Sequence, residues 1–110
     1  MKDLIIIGAG NAAIKLVKDM LNASDHSYLP VALLDDDPRK LNKQINNIKI
    51  VAKLDKLNSM IIKYNADHII FAIPSINKDK KQRILKLLKA TECTISTLPA
   101  LTDIMSGQIF

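Results

Sequence analysis

The sequence predicts an α/β domain of three layers, in which helices cover both faces of a doubly wound parallel sheet of about five strands. Two observations lead to this prediction: short apolar runs recur along the chain, and apolar residues at helical spacing lie between them. Strands that alternate with helices are typical of βαβ units with right-handed crossovers. The length of 110 residues fits one such domain, so we expect residues 1–110 to form a single unit.

The predicted strands are short and end at turn residues. Their nearly continuous apolar character fits strands that are buried on both faces of a parallel sheet. Gly8 follows the first run, and Pro74, which has no N–H to give to a sheet, ends the fourth. The predicted strands cover residues 3–7, 30–34, 48–52, 67–73 and 94–98. Residues 39–47 have no clear period, and we predict a surface excursion there with at most one helical turn.

Three amphipathic helices connect these strands. The first begins at Asn11, where apolar residues start to recur at steps of one and four with polar residues between them. The second carries apolar residues from Leu54 onward, and Asn65 is its predicted end. Ser75 or Asn77 is the predicted cap of the third.

Composition excludes several classes of protein. With 48% hydrophobic and 25% charged residues, the chain is neither disordered nor a disulfide scaffold. No apolar run approaches the roughly 20 residues that cross a bilayer, and the single Cys93 fits a reducing compartment. We therefore expect a cytoplasmic domain that is not inserted in a membrane. The net charge of +5 comes almost entirely from lysine, and aromatic residues are only 4%, so we expect no nucleic-acid partner.

The strongest motif is a glycine-rich turn between the first predicted strand and the first helix. Residues 8–13 match the pattern G-x-G-x-x-G/A in the one context where it has a mechanical meaning. Gly8 permits a tight turn, Gly10 removes the Cβ that would block a pyrophosphate, and Ala13 lets the helix approach the sheet. The N–H groups of the first helical turn then offer an anion site, which predicts a Rossmann-like nucleotide-binding fold. The candidate contacts of this loop are Gly8, Ala9, Gly10, Asn11 and Ala12.

Asp35 ends the second predicted strand, where dinucleotide-binding domains place an acid that binds the adenosine ribose hydroxyls. This carboxylate favours NAD, because it repels the 2′-phosphate of NADP, although Arg39 and Lys40 partly offset that repulsion. Asp36 is a further candidate contact, while Asp36 and Asp37 also fit turn positions. Side chains of successive extended residues diverge, so we predict no metal site in this acidic run.

Ala72 and Ser75 leave the fourth predicted strand at the same edge of the sheet. Ala72 allows close approach of a ligand. Ser75 either donates to a phosphate or sugar or caps the next helix, and the sequence leaves both alternatives open.

The sequence contains no recognisable arrangement of catalytic or metal-binding residues. The residues four positions after Tyr28 and Tyr64 are not lysine, so the Tyr-x-x-x-Lys pair of short-chain dehydrogenases is absent. His26 and His68 do not form a zinc-binding spacing with Cys93. We predict no catalytic residue and no metal ligand, surface or structural histidines, and a buried, inert thiol.

Four segments carry a resemblance to a known family, and they cover nearly the whole chain. They are LIIIGAGNAA at 4–13, LLDDDP at 33–38, DHIIFAIPS at 67–75 and LPALTD at 98–103. In order and spacing they resemble the amino-terminal Rossmann-like domain of CapD-type bacterial polysaccharide-biosynthesis proteins. These are membrane-linked nucleotide-sugar 4,6-dehydratases and 4-dehydrogenases, including UDP-D-quinovosamine 4-dehydrogenases.

The resemblance implies a larger parent protein anchored at the inner membrane, with hydride transfer on the sugar performed by a separate C-terminal catalytic domain. It implies ligand contacts at Gly8, Gly10, Asn11, Asp35 and Ser75. At residues 52–53 this sequence has Ala-Lys where relatives often have glycine and a small residue, a departure from the family pattern at that loop.

Three functions follow as alternatives. The first is a module that binds NAD, or the nucleotide part of a UDP-sugar, with NADP and CoA as less favoured ligands. The second is a structural or homo-oligomerisation domain without a ligand, and the third is a sensor of CoA or of redox state.

Overall fold

The computed structural model describes residues 2–22, 28–73, 77–88 and 93–97. Over these residues the chain alternates between strands and helices, as the sequence predicts. The elements are β1 (Lys2–Ile7), α1 (Asn11–Asn22), β2 (Tyr28–Leu34), β3 (Gln44–Ile45), β4 (Ile48–Ala52), a 3-10 turn (Leu54–Lys56), α2 (Leu57–Tyr64), β5 (His68–Phe71), α3 (Lys78–Leu88) and β6 (Thr94–Thr97).

Within the described residues the strands form one sheet in the order β3-β4-β2-β1-β5-β6. All neighbours are parallel except β3 and β4, which are antiparallel. From β1 the chain moves outward to β2 and β4 and then returns to the other side of β1 at β5. The strand order therefore reverses between β1 and β5, and a ligand crevice in such a sheet lies at the carboxyl ends of these strands. The predicted α/β class with a Rossmann-like sheet is confirmed.

Alternation along β1 divides the core between the two faces of the sheet. Leu4 and Ile6 pack in the cluster that contains Ala13 and Val17 of α1. Their neighbours on the strand pack in the other cluster, which contains residues of α2 and α3. All four apolar residues from Leu4 to Ile7 are fully buried, because both faces of the strand are covered by helices.

A sixth, very short strand corrects the prediction for residues 39–47. Gln44 and Ile45 pair with Lys49 and Ile48 in an antiparallel hairpin. The two residues that connect the strands, Asn46 and Asn47, have positive φ angles of 49° and 71°. Asparagine adopts this backbone region more readily than other side chains, and consecutive positive φ values characterise tight hairpin turns. The Asn-Asn pair was the sequence signal for this hairpin.

Helix ends agree with the predicted boundary residues. Asn65 ends α2 in the left-handed conformation, with φ 51° and ψ 49°. Asn77 caps α3, since its Oδ1 accepts the N–H of Asp79 at 2.8 Å. Ser75, the alternative cap, lies outside the described residues. None of the helices over the described ranges combines the length and apolar character that crossing a bilayer requires.

Candidate nucleotide-binding site

Gly8 makes the turn between β1 and α1 possible. Its φ is +110°, and a Cβ there would lie 2.6 Å from Cγ1 of Ile73 and 3.0 Å from the carbonyl oxygen of Ala72. Its N–H donates to the carbonyl of Leu34 at 2.7 Å, which ties the turn to the end of β2. This glycine is therefore required by the fold itself, because no L side chain fits both the backbone angle and the space.

Gly10 has a different role, because a Cβ at this position would meet nothing within 4 Å. Packing among the residues that the structure describes gives no reason for glycine here, whereas a ligand that approaches the loop backbone does. The carbonyl of Gly10 accepts the N–H of Ile14 at 3.0 Å, so the N–H groups of residues 11–13 precede the first hydrogen bond of α1. No acidic residue lies in that first turn. The arrangement is an open cradle of N–H donors at the positive end of the helix dipole, suited to an anion.

The helix that carries these donors is anchored to the sheet. Ala13 and Val17 are fully buried, while Asn11 is exposed and Ala12 is half-buried. A small residue at position 13 lets α1 approach the strands closely, as the motif requires.

Asp35 lies against the glycine loop. Its Oδ2 accepts the N–H of Ala9 at 2.9 Å, and its Oδ1 accepts the N–H of Asp37 at 2.8 Å. These bonds fix the carboxylate at the carboxyl end of β2, beside the loop. Each carboxylate oxygen can accept more than one hydrogen bond, so Asp35 keeps acceptor capacity for a ligand hydroxyl.

Lys40 reaches the same place, although the sequence indicated only a nearby charge. Its Nζ donates to the carbonyl of Ala9 at 3.3 Å and lies 3.9 Å from Oδ2 of Asp35. Arg39 instead turns away and pairs with Asp37 at 3.0 Å. Of the two cations considered from the sequence, only Lys40 is therefore part of the loop region. No periodic signal identifies it, because the contact depends on the path of the turn after β2.

The three consecutive aspartates point to three different partners. Asp36 turns away from the glycine loop: its Oδ1 accepts the N–H of Leu54 at 2.9 Å, and its Oδ2 pairs with Nζ of Lys80. Burial alone would raise the pKa of Asp36, but these two hydrogen bonds and nearby lysine charges hold it below the ordinary value of 3.8. Hydrogen bonds from Arg39 lower the pKa of Asp37 to about 2.

Ala72 follows β5 directly beneath the loop. It is 3% exposed, and its N–H donates to the carbonyl of Ile7 at 2.8 Å. Its own carbonyl is the atom that a Cβ on Gly8 would approach most closely among backbone atoms. Ala72 is thus next to the loop, and its contact with a ligand stays a prediction. Ser75 lies outside the described residues.

The remaining titratable candidates have structural contacts. The ring of His68 is buried, with Nε2 2.9 Å from the hydroxyl of Ser96 and Nδ1 paired with the hydroxyl of Thr94. Cys93 is half-buried rather than fully buried, and its Sγ donates to the carbonyl of Ala66 at 3.1 Å. Ala66 precedes β5, so this hydrogen bond holds the thiol at the end of the sheet where β5 begins. His26 lies outside the described residues.

Comparison with known proteins identifies relatives of this chain. A family model described as a CoA-binding domain matches residues 1–99. The capsular polysaccharide biosynthesis protein CapD of Staphylococcus aureus is 26% identical over 109 residues, which are 98% of this chain and 18% of CapD. The probable polysaccharide biosynthesis protein EpsC of Bacillus subtilis (strain 168) is 27% identical over 103 residues, 94% of this chain and 17% of EpsC. The chain thus spans less than one fifth of the length of either relative.

Two solved structures share the fold. One is described as UDP-D-quinovosamine 4-dehydrogenase from Vibrio fischeri; it superposes with a TM-score of 0.79 at 27% identity, over 99% of this chain and 87% of that chain. The other is RSP in complex with β-NADH, with a TM-score of 0.74 at 16% identity, over 97% of this chain and 58% of that chain. At this identity the second likeness concerns the fold alone.

Proposed function

This chain belongs to the CoA-binding domain family, and from that premise we propose that it is the nucleotide-binding module of a larger nucleotide-sugar enzyme. The parent activity would be that of a dehydratase or 4-dehydrogenase in the biosynthesis of capsule, O-antigen or another surface polysaccharide. The relatives named for polysaccharide biosynthesis and the Vibrio fischeri structure support this assignment. The module binds, and a separate catalytic domain performs the chemistry on the sugar.

The observation that carries the proposal is the contrast between the two glycines of the loop. Gly8 is explained by its backbone angle and its neighbours, but no atom of residues 2–22, 28–73, 77–88 or 93–97 occupies the space over Gly10. A pyrophosphate placed there would accept hydrogen bonds from the N–H groups at the start of α1, as anions do at helix N-termini.

The region around Asp35 and Lys40 supports a ribose next to that pyrophosphate. Asp35 would accept from the ribose hydroxyls, which favours NAD as the ligand. Lys40, 3.9 Å from the same carboxylate, reduces its repulsion of a further phosphate, so NADP and CoA remain in the panel to be tested. The glycine loop and Asp35 would hold the adenosine diphosphate part of NAD.

Isothermal titration of the chain with NAD, NADH, NADP, CoA, UDP and UDP-N-acetylglucosamine in one buffer tests the proposal. We expect saturable binding of one nucleotide, loss of that binding in Gly10→Val, and weaker binding in Asp35→Asn. Asp37→Asn is the matched control, because this carboxylate pairs with Arg39 and not with the loop. If the folded protein binds none of these six ligands, the binding module is rejected in favour of a structural or oligomerisation domain. A large difference between NAD and NADH would indicate a redox sensor.

A further inference from the structure

Helices α2 and α3, with the 3-10 turn that precedes α2, hold the excess positive charge of the chain. Seven of the 16 basic residues and two of the 11 acidic residues lie in these elements, a difference equal to the net charge of +5 of the whole chain. The charges of all other residues therefore balance. Both helices pack on the same core cluster, so the excess charge lies on one face of the sheet.

Part of this charge belongs to the cleft beside Asp36, which Lys53, Asp55, Lys80 and Arg83 also line. Outside that cleft these elements carry four exposed lysines, and over the described ranges none of the four forms an ion pair. The acidic residue in α2 and α3 that opposes them is Asp79. The four lysines are Lys56, Lys63, Lys78 and Lys86.

The four lysines spread over one broad surface, because both helices lead from the carboxyl end of a strand to the amino end of the next. Lys56 directly precedes α2, and Lys78 is the first residue of α3. Lys63 and Lys86 lie in the last turns of the two helices, at the end of the sheet away from the glycine loop. A rise of 1.5 Å per residue separates the two ends of this surface by about 10–12 Å.

An aliphatic side chain lies among these charges. Ile62 is 80% exposed, whereas the next most exposed large apolar side chain over the described ranges, that of Ile14, is 43% exposed. Leu57 and Ile61 turn α2 toward the core, which leaves Ile62 and Lys63 on its outer side. Lysines with an exposed aliphatic residue suit a lipid interface, where the apolar side chain enters the headgroup boundary and the lysines meet anionic lipids. We call Ile62 and the four lysines the lysine face.

We propose that the lysine face docks on the surface of a membrane that contains anionic lipids, with Ile62 at the headgroup boundary. The charge of the face is complementary to such a surface, whose attraction for one nearby lysine corresponds to about fivefold in affinity. Lysine is a compact point charge without the rigid fork of arginine, so it suits a diffuse layer of headgroups. Stacking on nucleic-acid bases uses aromatic side chains, and the lysine face contains none. The association is peripheral and goes beyond nucleotide binding by the glycine loop.

Sedimentation of the chain with lipid vesicles tests this proposal. One set of vesicles is phosphatidylcholine alone, and the other holds phosphatidylglycerol and phosphatidylcholine in equal parts. We expect binding to the second set only, and its loss when the ionic strength rises from about 0.1 M to about 1 M, because the Debye length falls from about 10 Å to about 3 Å. Lys63→Gln and Lys86→Gln should each weaken binding about fivefold, and Ile62→Ser about tenfold. Lys15→Gln is the matched control, since it removes an exposed lysine from α1 on the opposite face of the sheet.

Four results would overturn the proposal: no binding to the anionic vesicles, equal binding to both sets, an equal effect of Lys15→Gln and Lys63→Gln, or unchanged binding in Ile62→Ser. Tighter binding to duplex DNA than to the anionic vesicles would also overturn it and would assign the face to nucleic acid. Gly10→Val should bind the vesicles as the unchanged protein does, so a failure of the nucleotide site and a failure of the lysine face are distinguishable. Thermal unfolding of each variant ensures that lost binding reflects a folded protein.

Discussion

Gly10→Val is the change that tests the glycine loop most directly. A Cβ at this position meets no atom of the described part of the chain within 4 Å, so the new side chain does not enter the described core. Gly10 precedes α1, and valine is a poorer residue than glycine at such a position, which costs about 0.5–1 kcal/mol. Replacing glycine also lowers the conformational entropy of the unfolded chain, which stabilises the folded state by a similar amount and offsets this cost. We therefore expect the free energy of unfolding to change by less than about 1 kcal/mol.

The effect on binding should be far larger. The first turn of α1 offers the N–H groups of residues 11–13, none of which has a partner within the helix. Hydrogen bonds to a charged group contribute about 1.5–3 kcal/mol each. If valine prevents two of them, the loss of 3–6 kcal/mol weakens binding by a factor of about 100 or more.

Gly8→Val provides the opposite pattern as a comparison. A side chain there must adopt a φ of +110° and displace Ile73, and a Cβ would also press on the carbonyl of Ala72. Backbone strain of this kind costs about 1–3 kcal/mol before the clash is counted, which lowers the unfolding midpoint by at least about 4 °C. Calorimetric unfolding and titration with NAD, or with whichever nucleotide the panel identifies, measure both quantities. Unchanged nucleotide affinity in Gly10→Val, or a loss of stability as large as that in Gly8→Val, would refute the assigned role of Gly10.

Three further predictions concern stability. Phe71→Ala should lower the free energy of unfolding by about 3–5 kcal/mol, because the ring is fully buried in the core; a denaturant titration would measure it, and a loss below 1 kcal/mol would contradict the packing described. The pKa of His68 lies below 6.5 because of burial and the charge of Lys2, so the unfolded chain binds more protons and stability should fall as the pH drops below about 6.5. His68→Gln should make the unfolding midpoint depend less on pH below about 6.5. An unchanged dependence in this variant would contradict the assigned role of His68. The pKa of Asp37 is lowered from 3.8 to about 2, so its contribution to the free energy of unfolding is present above about pH 4 and is lost toward pH 2. Asp37→Asn should therefore reduce the fall of the unfolding midpoint between about pH 4 and pH 2. The same fall in the variant and in the unchanged protein would disprove this.

Local patterns were sufficient for most elements of the fold. Short, nearly continuous apolar runs predicted five of the strands, because strands of a parallel sheet are buried on both faces. Apolar residues at helical spacing predicted the three helices over the described residues. The end of α2 at Asn65 followed from the tolerance of asparagine for the left-handed conformation. The two-residue strand β3 was missed, since two residues are too short for any period and its pairing depends on the turn at Asn46 and Asn47.

The candidate site was less predictable than the fold. The sequence predicted Asp35 at the end of the second strand as an acid that binds ribose hydroxyls, and in the structure its Oδ2 accepts the N–H of Ala9 in the glycine loop. The contact of Asp35 with a ribose stays a prediction. No pattern in the sequence separates Lys40, which reaches the loop, from Arg39, which turns away. Nor did it indicate that Asp36 joins Leu54 and Lys80, residues 18 and 44 positions along the chain.

By itself the sequence determined the α/β class, the turn of glycines after the first strand and the absence of a Tyr-x-x-x-Lys pair. These features rest on residue type and on spacings of a few residues, where backbone sterics and side-chain period act locally. Only the tertiary structure distinguished Gly8, which the fold requires, from Gly10, which faces open space. It alone brought Lys53 and Arg83 to one cleft, because contacts between distant segments depend on how strands order and helices pack, and a linear pattern does not contain that information.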